Sequence, residues 1–468
     1  MQWQPAPTPG VPEDQPARSL SRRTLLWAVP SVALAFSGDA GFFGEASEKP
    51  LHSSTVAIGD DQRRVLVPPD RQWTDPGSRV LNSAAQRDQL RQQEVAWQSR
   101  TRMPGNPADP YVEAGRLALL DLRVLALDGG IPVAAWSPSW RYVWPRDSAF
   151  VVAALSGTGH SEEAAAILTF LQRVQKADGT FEARYEPGSG RPPDHRGVQL
   201  DGTGWSLWGL WRWSQSVPAP ARAERVAEFA LLLRRSAAAC LRLTDLGRSL
   251  PPVSADYWEL STHRMTLANA ALFLVGLQAA AKLHLILGDA AAAAVLQEAG
   301  QRYRKVIAKT FSGNGYPRYA DGHAQDAAVC FLLPPFVDEV DPLVLDAWRR
   351  APLKLRRPAG GLAPGGNWRQ DGVSWTPVTA LFGMTASSLG DHEQARSWLD
   401  WLLAHRTIAG SLPEKVNADG SPGSVAPLAW TSAAVVLTAT SELASSAAEA
   451  ALQRGQAVAP AGLSSDPR

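Results

Sequence analysis

From about Asp109 onward, apolar residues recur three and four positions apart, in runs broken by Gly, Pro and Asp. The pattern predicts helices near 109–127, 145–157, 160–177, 202–216, 219–244, 264–287, 289–311, 322–333, 341–353, 374–389, 391–407 and 427–443. Two kinds of link join them. Gly157-Thr158-Gly159-His160, Gly288-Asp289 and Gly390-Asp391 are tight turns. The longer links, 128–144, 178–201, 245–263, 312–321, 354–373 and 408–426, alternate with the tight ones. Twelve helices with alternating links predict an all-α fold, an (α/α)6 toroid of six inner helices ringed by six outer ones. Each inner helix would follow a long link, so the long links would open on one end and line a single pit. The alternative is an open α-solenoid of helix pairs. No helix-pair signature repeats along the chain, which favours the closed ring.

The pattern changes before residue 109. Ser54 to Ile58 and Arg64 to Val67 are short β-like runs, and 83–100 is polar enough for an exposed helix. Residues 51–108 are expected to form an N-terminal arm on a toroid spanning 109–445. Residues 1–50 are rich in Pro, Gly and Ala and are excluded from the fold; 446–468 are expected to be a disordered tail. Within the first segment, Ser21-Arg22-Arg23-Thr24-Leu25-Leu26 leads into an apolar run from Leu25 to Phe36. The run is too short for a membrane span. A twin-arginine pair before it reads as an export signal of the type that passes folded proteins. The expected location is outside the cell, or anchored at the membrane if the signal stays uncleaved. No membrane partner beyond the export machinery is expected.

Composition narrows the partners. A net charge of +1 without a basic block excludes nucleic acid as an expected ligand. The 18 tryptophans exceed what is ordinary, and tryptophan serves both cores and the flat platforms on which sugar rings stack. Cys240 and Cys330 lie far apart in apolar helical contexts and read as two buried free thiols. There is no Cys-x-x-Cys and no His cluster, so neither a metal nor another cofactor is expected. The chain is expected to act as a monomer.

The long links carry the candidate chemistry. The first ends Tyr142-Val143-Trp144-Pro145-Arg146-Asp147, which places an Arg-Asp pair in the first turn of an inner helix after Pro145. Such a pair can donate to and accept from sugar hydroxyls, or simply cap the helix. The second contains Gln199-Leu200-Asp201-Gly202, where Asp201 is a natural N-cap. The tryptophans that follow it, Trp205, Trp208, Trp211 and Trp213, are spaced for a packed stripe. The third reads Asp256-Tyr257-Trp258-Glu259-Leu260, with a carboxyl beside an indole. An apolar neighbour disfavours the charged form and suits a general acid. The fifth, around Trp368-Arg369-Gln370-Asp371, suits a pocket wall. The sixth contains Leu412-Pro413-Glu414-Lys415 and ends in Pro427-Leu428-Ala429-Trp430. Its prolines and glycines forbid a regular element, and Glu414, held between two helices, is a candidate general base.

In order and spacing, Tyr142 to Asp147, Gln199 to Gly202, Trp258-Glu259 and Leu412 to Trp430 resemble the glucoamylase family, glycoside hydrolase family 15, over about residues 110–445. The resemblance implies that Glu259 is the general acid and Glu414 the general base. It implies that Arg146 and Asp147 bind the terminal glucosyl unit, and that Tyr142, Trp144, Asp201, Trp258 and Trp430 belong to the substrate site. Arg369 is the candidate for a further family arginine. Leu260 stands where many members have a second Glu, and Lys415 where many have Gln. Too few residues precede Asp109 for the N-terminal β-sandwich of many bacterial members. The implied activity is inverting hydrolysis of oligo- or polysaccharide α-glucosides from the non-reducing end. The alternatives are a non-catalytic carbohydrate-binding toroid, a trehalase-like hydrolase and an inverting phosphorylase on the same architecture.

Overall fold

The computed structural model describes residues 48–126 and 129–456. The Arg22-Arg23 motif and its apolar run lie outside the described residues. In chain order the elements are β1 (Thr55–Ile58), β2 (Arg64–Val67), α1 (Arg87–Gln98), α2 (Pro110–Leu125), α3 (Pro145–Gly157), α4 (Ser161–Val174) and α5 (Asp201–Ser214). There follow α6 (Ala219–Ala227), α7 (Ala230–Leu243), α8 (Leu267–Ile286), α9 (Ala290–Phe311) and α10 (Pro342–Leu355). The last are β3 (Ser374–Trp375), α11 (Thr376–Ser388), α12 (His392–Ala404), β4 (Lys415–Val416), β5 (Pro422–Gly423) and α13 (Ala429–Gln456).

The helix entries follow local chemistry. Asp109, Asp289, Asp341 and Asp391 each accept a hydrogen bond from a first-turn backbone N–H, and proline opens α2, α3 and α10. All four capping aspartates start outer helices. The inner helices α3, α5, α8 and α11 are buried along nearly their whole length and are correspondingly apolar, whereas the outer helices keep a charged face. Among the described residues α8 is long and apolar enough to cross a membrane, but most of it is buried in the ring.

The architecture is the (α/α)6 toroid. Going round the inner ring, α3 packs on α5, α5 on α8, α8 on a short turn at 327–332, that turn on α11, α11 on α13, and α13 on α3. The outer ring is α2, α4, the α6–α7 pair, α9, α10 and α12, and α2 closes it by packing on α13. Every inner element follows a long link, as the alternation predicts. Close approach is bought at small residues. At Gly204 of α5, an added Cβ would stand 2.1 Å from the Leu272 carbonyl oxygen of α8.

Four expectations are corrected. The 322–333 segment is a six-residue 3-10 turn, Ala327–Leu332, because Pro334 and Pro335 prevent its continuation. The 219–244 helix is broken at Glu228-Phe229, where Phe229 turns inward onto Trp213 with ring centroids 5.1 Å apart. The 83–100 helix is not simply exposed: Leu90, Glu94 and Trp97 are buried. Helix α13 runs on to Gln456, into the segment expected to be a tail. The tryptophan stripe on α5 is core, with Trp205, Trp208 and Trp213 fully buried. Cys240 and Cys330 are both buried and unpaired.

The N-terminal arm does more than flank the ring. The β1–β2 hairpin is antiparallel, with Thr55 opposite Val67. Ahead of it the chain straps the sixth long link: Lys49 N–H donates to Asn417 Oδ1 at 2.9 Å, His52 N–H to the Ser424 carbonyl at 2.8 Å, and Ser53 Oγ to the Ala426 carbonyl at 2.8 Å. A buried Arg79–Asp121 ion pair at 2.5 Å, with Ser411 Oγ donating to Asp121 at 2.8 Å, ties arm, α2 and this link together. Residues 48–50 therefore belong to the fold, contrary to the expectation that it starts at 51.

Candidate active site

At the end of the ring where the long links emerge lies a cavity of about 360 Å³. Five of the six long links contribute side chains to its wall, and Lys49 of the arm joins them. The fourth link, 312–321, supplies no wall residue and instead braces the third from behind.

That brace begins with Arg318. Its guanidinium is buried between Asp256 (2.6 Å) and Asp326 (2.9 Å), and Tyr257 Oη donates to Asp326 at 3.1 Å. The backbone then doubles back, with Glu259 N–H donating to the Asp256 carbonyl at 2.7 Å. Glu259 itself sits at φ +57°, in the left-handed region, which costs a non-glycine residue about 1–3 kcal/mol and persists where the surroundings over-determine it. The turn aims the Glu259 carboxylate into the cavity. There, Oε1 accepts the Trp144 indole N–H and Oε2 pairs with Arg196 Nη1. Proximity to Trp258 suggested an apolar setting for this carboxyl. The carboxylate instead meets an indole donor and a guanidinium.

Glu414 comes from the sixth link. Its backbone is fixed on both sides: its N–H donates to the Val425 carbonyl at 2.8 Å, and its carbonyl accepts from Thr376 N–H at 3.1 Å. The Glu414 carboxylate accepts the Trp140 indole N–H at 3.3 Å, Ser424 Oγ–H at 2.5 Å and Lys415 Nζ at 3.1 Å. Ser424 reaches it because its own backbone is left-handed, at φ +68°. The first link thus supplies one indole donor to each of the two carboxylates.

The Arg146–Asp147 pair, joined at 2.8 Å at the start of α3, lines the same cavity. Arg146 also donates to the Tyr257 carbonyl and lies over the Trp430 ring, 4.7 Å from its centroid. Burial pushes the Asp147 carboxyl above its ordinary value, against the pull of Arg146. An aromatic wall completes the site. The Trp258 ring lies 5.1 Å from Trp375, 5.5 Å from Trp368 and 5.9 Å from Trp430.

Of the residues singled out from the sequence, the cavity brings together Arg146, Asp147, Trp144, Trp258, Glu259, Arg369, Glu414 and Trp430. Arg369 is exposed on the rim. Two do not reach the wall. Tyr142 lies behind it, under the Arg184 guanidinium at 4.2 Å and edge-on to Trp144 at 6.2 Å. Asp201 is buried in a separate recess beside Arg146, Glu182 and Gln199. It is also not the N-cap: Leu200 holds that position, and the Asp201 carboxyl accepts the Trp205 indole N–H at 3.3 Å from within α5. Burial pushes its pKa up to about 7.

Sequence reasoning missed the second link's arginines. Arg184 and Arg196 both reach the cavity, and Asp194 bridges them at 2.5 Å and 3.0 Å. Their stretch, Arg184 to Gly197, has no periodicity to mark them. Trp140, Trp375 and Lys49 were also missed, whereas Trp368 lies in the link expected to form a pocket wall. Among the described residues no group of His, Cys, Asp and Glu could hold a metal ion.

No protein-family model and no curated protein sequence matches the chain. Solved structures do. A wild-type glycosidase superposes with a TM-score of 0.58 at 20% identity, over 73% of this chain and 99% of its own. A bacterial glucoamylase complexed with acarbose gives 0.61 at 18% identity, over 75% of this chain and 57% of its own. The glucoamylase from Saccharomycopsis fibuligera gives 0.56 at 13% identity, over 74% and 98%. Across about three quarters of its length, the chain therefore shares its (α/α)6 toroid with these glucoamylase-type structures.

Proposed function

We propose that the protein is an inverting glycoside hydrolase that releases glucose from the non-reducing end of α-glucosides. The observation that carries this is the pair of carboxylates, Glu259 and Glu414, brought from separate links to one cavity and each held by an indole of the first link. Arg146 and Asp147 between them offer donors and an acceptor for sugar hydroxyls, and the tryptophan wall offers a stacking face. The resemblance of the fold to glucoamylases and to a glycosidase solved with glucose adds support.

In this scheme Glu259 gives its proton to the glycosidic oxygen as the bond from C1 to that oxygen breaks. Water attacks C1 from the opposite face and its proton passes to Glu414. One displacement inverts the anomeric centre. Proton transfer by a positioned side chain contributes typically 10²–10⁴-fold, so each carboxylate is expected to matter on about that scale.

The test is the configuration of the first-formed sugar. Proton NMR of an α-glucan or α-disaccharide digest should show β-glucose before mutarotation; α-glucose would refute single displacement. Glu414→Gln should slow every substrate alike, because each needs an activated water. Glu259→Gln should slow alkyl and sugar aglycones most and spare good leaving groups. Full activity after Glu414→Gln would remove that residue from the mechanism and favour a phosphorylase, whereas absence of turnover in the wild type would favour a binding protein.

A further inference from the structure

We propose that the substrate carries an anionic group, a carboxylate or a phosphate, on the leaving side of the scissile bond, and that Arg196 binds it. The proposal rests on Glu259 being the general acid. Both oxygens of that carboxylate are occupied: Oε1 by the Trp144 indole and Oε2 by Arg196. To protonate a leaving oxygen, one of the two must be released. Trp144 is buried, and its backbone is fixed next to Pro145 at the entry to α3. Arg196 is 40% exposed and sits in a stretch with Gly188, Gly190, Pro192, Pro193 and Gly197. Arg196 is the donor free to move.

Charge decides where it goes. Arg184 and Arg196 share one carboxylate besides Glu259, that of Asp194. When Glu259 takes up the proton it needs as an acid, two guanidiniums face one anion, and the surplus positive charge stands at the cavity wall. Arg184 is the buried one of the two, and a buried charge that loses part of its share of Asp194 is costly unless another anion replaces it. Two other wall carboxylates are engaged elsewhere, Asp147 with Arg146 and Glu414 with Lys415, and Asp371 accepts the Val373 N–H at 3.1 Å. Arg369, on the same wall, has no ion-pair partner among the described residues. A neutral glucan leaves this imbalance uncompensated; an anionic aglycone beside Glu259 draws Arg196 off Oε2 and corrects it. Substrate binding then prepares the acid.

The test compares isosteric leaving groups. The α-glucosides of 3-hydroxypropanoic acid and of its amide differ only in charge, and the α-glucoside of 2-hydroxyethyl phosphate supplies the phosphate arm. Wild type is expected to hydrolyse the acid over the amide by roughly tenfold to a hundredfold in kcat/KM, the range of a charge-assisted hydrogen bond. A larger preference for the phosphate would identify phosphate as the anion. Arg196→Gln should bring the acid-to-amide ratio to about one, and Arg196→Lys should restore part of it. Because both rates are read on one preparation, loss of folded protein cancels from the ratio. A wild-type ratio near one, a ratio unchanged by Arg196→Gln, or loss of both rates together would each overturn the proposal; the last would assign Arg196 to holding Glu259 in place. If wild type hydrolyses no α-glucoside, α-glucans included, the hydrolase reading fails first.

Discussion

Asp201→Asn should stabilise the protein, and increasingly so as pH rises. Asp201 is almost fully buried, and its carboxyl is raised from 3.8 to about 7, first by desolvation and then by the nearby Asp256 charge, with Arg146 opposing. A carboxyl raised in the folded state contributes its stability in the neutral form. The contribution is complete below the unfolded value and is lost as pH climbs toward the folded one. At about 1.4 kcal/mol per pKa unit, the loss between pH ~4.5 and ~8 is roughly 3 kcal/mol. Asparagine keeps the shape and the acceptor for the Trp205 indole, and has no charge to desolvate. The difference in unfolding free energy between variant and wild type should therefore shift in the variant's favour by roughly 3 kcal/mol over that window. Urea unfolding followed by tryptophan fluorescence at several pH values measures it directly. Titrating groups remote from Asp201 cancel in the difference. A difference that stays flat with pH, or moves against the variant, would refute the idea that Asp201 is buried without adequate compensation.

Three further outcomes are expected. Arg318→Met leaves Asp256 and Asp326 as unpaired buried carboxylates and should cost about 3–5 kcal/mol in unfolding free energy. It should also depress kcat, since the turn that aims Glu259 loses its brace; unchanged melting and turnover would remove the network from the site's support. Gly204→Ala forces α5 from α8 and should destabilise by roughly 1–3 kcal/mol, read as a lower Tm, while Gly188→Ala, with no atom within 4 Å and no left-handed backbone, should leave Tm nearly unchanged. Replacing Arg22 and Arg23 by Lys should keep the protein in the cytoplasm, measured by cell fractionation; unchanged export would show that this pair is not the address.

Most of the helices, the alternation of short and long links and hence the closed ring were legible in the chain itself, because helix periodicity, Asp and Pro entries and Gly stops are local properties. So were the two glutamates, since each lies in a marked link next to recognisable aromatic or proline punctuation. The short 3-10 turn at 327–332 was not, because its apolar run resembles a helix and only the following prolines limit it. The strap formed by Lys49, His52 and Ser53 was not legible either: its partners lie more than 360 residues away in sequence. What only the tertiary structure decided is the chemistry at each carboxylate. Sequence places an indole beside Glu259. The left-handed backbone at that residue, set by Asp256 and Arg318, turns the side chain to a different indole and to Arg196. Asp201 likewise has the residue type of an N-cap, but its position one residue inside α5 buries it. Neighbour identity follows the chain, whereas a side chain's dielectric surroundings and charge partners follow from elements that meet only when the ring closes.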